Sequence, residues 1–158
     1  MNVRFKKADM DDVGAMCRRG MRPADELEVL RMGRMSDPYL ALAEGVEESE
    51  VVLAAYTEQG IACIVGVYKD SLLGSGGIIW LLGHQDLEKY TVRFLKESRR
   101  VLASFLEGYS LLENYVDVEN TLTLRWLEWL GFTIDRDTPI TTPMGYPFYR
   151  VWKEAPHV

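Results

Sequence analysis

The chain has 158 residues, 47% of them hydrophobic and 27% charged, with a formal net charge of -6. That size and apolar content build one well-packed domain across 1–158 and are too small for two of ordinary size. The acidic balance argues against nucleic acid as a partner, and no apolar run approaches the ~20 residues of a membrane span. At the N-terminus, Met-Asn-Val-Arg-Phe-Lys-Lys passes straight into polar Asp-Met-Asp-Asp, without the apolar stretch of a secretion signal. A cytoplasmic protein is expected. Cys17 and Cys63 fall in a helical and a strand pattern, where buried free thiols are expected rather than a disulfide or a metal site.

Residues 3–7 form a short strand candidate. Asp9 to Asp12 then offer acidic caps to a helix with Val13, Met16, Cys17 and Met21 on one face. Pro23 opens a second helix, and Asp37-Pro38 places a capping residue before proline at the start of a third. Residues 51–56 and 61–68 are rich in β-branched and aromatic residues, and Glu58-Gln59-Gly60 between them marks a hairpin. Gly74-Ser75-Gly76-Gly77 reads as a flexible turn, without the Lys-Ser/Thr ending of a nucleotide loop, before the buried-strand pattern of 78–82. Residues 86–107 predict a helix with Val92, Leu95, Val101, Leu102, Phe105 and Leu106 inward. Residues 115–118 give a strand after it, so 78–118 makes a strand, helix, strand unit with parallel strands. Residues 132–134 and 149–152 suggest a closing antiparallel pair around a Thr, Pro and Gly loop.

The most informative stretch is Val-Asp-Val-Glu-Asn-Thr-Leu-Thr-Leu-Arg-Trp-Leu-Glu-Trp-Leu-Gly-Phe-Thr-Ile, residues 116–134. Asn120 and Thr121 can cap a helix, Leu124, Leu127 and Leu130 recur at helical spacing, and Gly131 ends it before Phe132. Trp126 and Trp129 fall on flanking faces, with at least one expected to be exposed. This order, with the spacing of Asn120 to Gly131, resembles the C-terminal half of the GNAT acetyltransferase superfamily. The resemblance implies an α/β (α+β) fold, with a mixed, mostly antiparallel central sheet and helices on both faces.

The resemblance also says where chemistry would lie. Acetyl-CoA would bind where two parallel strands splay after Leu82 and Gly83, its pyrophosphate on the helix that begins near Thr91, Val92 and Arg93. The family's phosphate loop carries glycines. The matching stretch, Glu88-Lys89-Tyr90-Thr91-Val92-Arg93, contains none, and Asp86 and Glu88 lie beside it. A tyrosine that protonates the departing thiolate in many relatives is matched here by Leu127, which leaves Tyr115, Tyr90 or water as the acid. Asn120 is either a helix cap or a cofactor contact. His84, just past the strand, is a candidate base, as are Glu47, Glu48 and Glu50.

Within the superfamily, Glu113-Asn114-Tyr115-Val116-Asp117-Val118 followed by Asn120-Thr121 looks most like acetyltransferase-like proteins of tailed phages and prophages. Two readings follow. One is an acyl-CoA-dependent N-acyltransferase acting on a small-molecule or protein amine. The other is a noncatalytic GNAT-fold protein, without a cofactor, contacting phage or host proteins in assembly, with the virion as its location if it is a phage structural protein. A homodimer through an exposed tryptophan is compatible with either.

Overall fold

In the computed structural model, which describes residues 2–156, seven strands make one sheet in the order β1-β2-β3-β4-β5-β7-β6. The strands are β1 (Arg4–Lys7), β2 (Val51–Thr57), β3 (Gly60–Lys69), β4 (Gly76–Gly83), β5 (Leu111–Asp117), β6 (Thr133–Thr141) and β7 (Pro147–Glu154). Helices α1 (Met10–Arg19), α2 (Pro23–Met32) and α3 (Pro38–Glu48) precede β2, α4 (Thr91–Gly108) joins β4 to β5, and α5 (Thr121–Trp129) joins β5 to β6. All neighbouring strands are antiparallel except β4 and β5. Among the described residues, no helix is long and apolar enough to cross a membrane.

Alternation along the strands distributes two cores to the two sheet faces. Val52, Ala54 and Ile64 face α1 and α3 and meet Val13, Met16, Leu42 and Val46. Val65, Val67, Leu112 and Val116 face the other way, toward Leu102, Phe105 and Leu106 of α4 and Leu124 of α5. Each of these buried aliphatic or aromatic side chains contributes about 1.5–3 kcal/mol by leaving water. Trp80 of β4 fixes α3 against the sheet. Its ring lies so near Gly45 and Gly66 that a Cβ at either would come within 2.8 and 2.7 Å of it, so only glycine fits there.

Local chemistry sets the helix ends. Asp9 accepts from Asp11 N–H and Asp12 accepts back from Asp9 N–H, an acidic capping box on α1, and Asp37 accepts from Tyr39 N–H ahead of Pro38. Gly131, at φ +93°, stops α5 in the left-handed conformation. The expected hairpin closes through Thr57 and Gly60, and the expected parallel unit is β4-α4-β5.

Several expectations are corrected. The 86–107 helix is broken into a 3-10 turn, Gln85–Glu88, and α4, because His84 caps that turn by accepting from Asp86 N–H. Val92 is 69% exposed on the overhanging first turn, and Phe94 and Leu95 take the inward places. The strand expected at 132–134 runs on to Thr141. It is an edge strand, exposed along most of its length, where polar residues and Pro139 are tolerated. Its register shifts between Asp135 and Ile140, where the Asp135 carboxylate accepts from the N–H groups of Asp137 and Thr138. Both cysteines are free, but Cys17 is exposed and only Cys63 is buried. Trp126 is buried, whereas Trp129 is 42% exposed with the Arg99 guanidinium 3.6 Å over its ring.

Candidate functional site

The two parallel strands pair only at Gly76 with Leu111, Gly77 with Leu112 and Ile78 with Glu113, and then separate. The β3–β4 ladder continues without a break to Cys63 and Gly83, so the opening lies entirely on the β5 side. At its apex the Asn114 amide sits between the strands. Its Nδ2 donates to Ile79 O at 2.6 Å and its Oδ1 accepts from Tyr115 N–H at 2.6 Å. Those are the two groups that would form the next direct ladder bond. Beyond them, the alternation that gives His84 N–H to Ala62 O turns the Leu81 backbone groups away from β3 and into the opening.

Helix α2 spans the wide end. Its N-cap Arg22 and its residues Asp25, Glu28, Val29 and Met32 recur at helical spacing along one stripe, and all five line a cavity of about 410 Å³. Asp25 accepts from Gly83 N–H at 2.8 Å, at the end of β4. Glu28, one turn on, accepts from Asp117 N–H at 3.3 Å and from Asn120 Nδ2 at 2.6 Å, beyond the end of β5. Two carboxylates three residues apart thus brace the two diverging strand ends. The cavity passes through the sheet, with Trp80, Leu82 and Tyr115 on the α2 and α3 side. Leu81, Val116, Leu102, Phe105 and Leu127 line it on the α4 and α5 side.

Arg22 is buried, and every contact holds this frame together. Its guanidinium pairs with Asp25 at 2.9 Å and Glu88 at 3.3 Å, donates to Thr123 Oγ1 at 2.8 Å, and lies 5.0 Å over the Trp126 ring. Its backbone N–H donates to Gly83 O at 2.6 Å. Trp126 in turn meets Phe94 edge-to-face at 6.3 Å, which joins α5 to the first turn of α4. The indole Nε1–H of Trp126 has no partner although the residue is buried on the cavity wall.

Electrostatics separate the carboxylates. Burial pushes the Glu28 carboxyl up to about 8; the Asn120 amide draws it back, and the negative charge of Asp25 raises it further. Burial also raises Asp25 above the ordinary range, against the pull of Arg22. At the Gln85–Glu88 turn, Asp86 is paired with Arg19 and lies 3.4 Å from Lys89 Nζ. The arginine, the lysine and Arg22 are therefore all engaged by carboxylates.

The residues singled out from the sequence fall in different places. Leu82 and Tyr115 line the cavity. Gly83 ends β4 beside it, with both backbone groups taken by Arg22 N–H and the Asp25 carboxylate. His84 points its Nδ1 at the Asp86 N–H, and burial followed by the nearby Arg19 charge lowers its pKa; its side chain serves the 3-10 turn. Thr91, Val92 and Arg93 form the first turn of α4, which has no side-chain cap. The Thr91 hydroxyl donates back to Leu87 and Glu88 carbonyls, and Arg93 reaches Asn2 at 3.4 Å. Asn120 holds the N-cap position of α5 but makes no side-chain cap, its amide being turned to Glu28. Glu48 lines the outer cavity, and Glu50 accepts from the Tyr109 hydroxyl at 2.8 Å. Asn114, Glu28, Arg22 and Trp126 Nε1 are the site groups that the sequence reading missed.

No protein-family model matches this chain, and none of the curated proteins matches it in sequence. Solved structures do match in shape. The ribosomal-protein-S18-alanine N-acetyltransferase from Escherichia coli superposes with a TM-score of 0.63 at 15% identity, over 99% of this chain and 96% of that one. The spermidine N-acetyltransferase from Vibrio cholerae, solved in complex with CoA and spermine, gives 0.63 at 11% identity, over 97% and 95%. An acetyltransferase of the GNAT family from Streptococcus pneumoniae gives 0.55 at 14% identity, over 98% and 100%. The chain is similar to these along its whole length, and its fold is the GNAT fold.

Proposed function

We propose that the protein is an acyl-CoA-dependent N-acyltransferase, with the thioester entering between β4 and β5 and an amine approaching from the α2 and α3 side. The observation that carries this is the opening itself, where the Leu81 backbone and the orphaned Trp126 Nε1–H supply unpaired donors beside an apolar wall. Those donors suit the amide and carbonyl groups of an acyl-pantetheine arm. The cavity follows α4 from Phe94 to Phe105, roughly 16 Å at 1.5 Å per residue, which leaves room for an acyl group longer than acetyl.

The phosphate end fits less well. The turn before α4 has no glycine, carries Asp86 and Glu88, and has Arg19, Arg22 and Lys89 already engaged by carboxylates, which leaves Arg93, exposed on the first turn of α4 with only Asn2 as a partner, as its cation for a phosphate. The aromatic contact of Phe94 with Trp126 also joins the helices there. These features favour a second reading, a noncatalytic protein of phage or prophage origin that acts through contacts with phage or host proteins. Calorimetry with CoA and with acetyl-, octanoyl- and dodecanoyl-CoA separates the two. Micromolar binding of an acyl-CoA, followed by mass-spectrometric detection of an acylated amine, is the expected result. Absence of heat at millimolar ligand would remove the enzyme reading.

A further inference from the structure

We infer that Glu28 is the catalytic base of this site, taking a proton from the ammonium group of the acceptor. This assignment rests on the acyl-transfer reading above. It follows from what surrounds the carboxylate. Of the two acids that α2 turns to the cavity, Asp25 has Arg22 as a counter-ion at 2.9 Å, and Glu28 has none. Arg31, the nearest cation on the same helix, is spent on Asp117 at 3.0 Å and on Glu119. Glu28 is instead held by two neutral donors, the Asp117 N–H and the Asn120 amide, which fix its position without neutralising it. It faces the cavity on the same side of the sheet as Tyr115, which is where an amine would meet a thioester lying between the strands.

The protonation chemistry agrees. An alkylammonium loses its proton near 10.4, so a carboxylate of ordinary acidity, near 4.3, faces a gap of roughly 6 units. Burial brings Glu28 to about 8, which narrows the gap to roughly 2. In the step, the Glu28 carboxylate removes one ammonium proton, and the freed nitrogen lone pair attacks the thioester carbonyl carbon. The carbon–sulfur bond then breaks, the sulfur leaves with the bonding electrons and takes the second proton from nitrogen, and Glu28 returns its proton to solvent. An amide, a thiol and one released proton balance the ammonium and thioester consumed. Asn120 becomes a positioning residue for Glu28 rather than a ligand contact.

The other ionisable groups around it are Asp25 on α2, Asp117 and Tyr115 on β5, and Glu44 and Glu48 on α3 across the cavity. Arg22, Arg31 and Arg34 are the nearby cations. The test uses the full chain, an acyl-CoA and a panel of primary amines. For the wild type, kcat/KM should rise with pH through about 8, because only the deprotonated carboxylate accepts a proton. Glu28→Gln should lower kcat by about a hundredfold or more and abolish that limb, while KM for the acyl donor stays within about threefold. Asp25→Asn should keep the limb but move it to lower pH, because the Asp25 charge helps raise Glu28. Carbon-13 NMR of the free protein should show one carboxyl titrating near 8 in the wild type and missing in Glu28→Gln. An active wild type whose limb survives Glu28→Gln, or a free protein with no carboxyl titrating above 7, would overturn the assignment and leave the acyl-transfer reading standing. A wild type that binds no acyl-CoA would overturn both.

Discussion

Replacing Arg22 by methionine tests whether α2 is locked across the open sheet by a buried ion pair. The Arg22 and Asp25 side chains are 2% and 6% exposed, so removing the cation strands a carboxylate that water does not reach. Losing one partner of such a pair costs about 3–5 kcal/mol. The Thr123 hydrogen bond and the stacking on Trp126 go with it, so the upper half of that range applies. For a chain of this size 1 kcal/mol moves Tm by about 2–4 °C, so Arg22→Met should lower Tm by roughly 10 °C or more at neutral pH, read by circular dichroism. The pH dependence has a definite sign. Asp25 already binds its proton more tightly folded than unfolded, and loss of Arg22 strengthens that preference. The folded variant is therefore favoured by protonation, and its deficit should shrink at pH 5 and grow at pH 8. The pair Arg22→Met with Asp25→Asn keeps an acceptor for Gly83 N–H, removes the stranded charge, and should recover most of the loss. A single variant within about 1 kcal/mol of wild type, or a double variant no better than the single, would refute the lock.

Three further outcomes are expected. The folded Glu28 carboxyl is raised to about 8 from 4.5, so wild-type stability should fall as pH climbs between those values, whereas Glu28→Gln should show a smaller fall, that of Asp25 alone; urea titrations at pH 5 and pH 8.5 measure the difference. Trp126→Phe removes a buried donor that has no partner but also the outer part of a ring packed on Arg22 and Phe94, so stability should fall by about 1–2 kcal/mol, while acyl-CoA affinity drops severalfold in calorimetry. Asn114→Ala deprives Ile79 O and Tyr115 N–H of their shared partner; slowed exchange of the Tyr115 amide with loss of donor binding would mean the strands have zipped together, and unchanged binding would mean Asn114 does not hold the opening.

The element order was legible because each signal is local: Asp9 and Asp37 before their helices, Glu58-Gln59-Gly60 between two β-branched runs, Gly131 after the α5 leucines. The site was far less so. Periodicity reads apolar residues as inward and charged ones as solvated, but α2 turns Arg22, Asp25 and Glu28 inward, so its site-facing stripe looks like a surface. Asn114 looks like any polar residue in a half-exposed strand, and only the three-dimensional pairing shows that it displaces a ladder bond. His84 was conspicuous as a chemical type, yet its ring is taken up by its own turn. The Asn120 motif fixed the right position with the wrong partner, because a residue before a helix can cap it or reach across to another element.

The polar groups around the opening also bear on which reading the fold favours. A protein that needed this sheet only as a scaffold would be more stable with β4 and β5 fully paired, since each unmade buried hydrogen bond costs about 1–3 kcal/mol. Here the ladder stops after Ile78, Asn114 occupies the next rung, Trp126 Nε1–H is left without a partner, and Glu28 is desolvated with no counter-ion. These departures lie on the walls of one cavity, and of the other buried side-chain atoms without a partner among the described residues Arg22 Nε belongs to it as well and Arg31 Nε does not. Unpaired groups gathered in this way are offset when a ligand supplies the missing partners. The acidic turn at Asp86 and Glu88 weakens only the phosphate end of that ligand, so under the proposed acyl transfer the donor would be held mainly by its thioester arm. Acyl-pantetheine should accordingly serve within about tenfold of acyl-CoA, and a loss of several thousandfold would show that the nucleotide end is held after all.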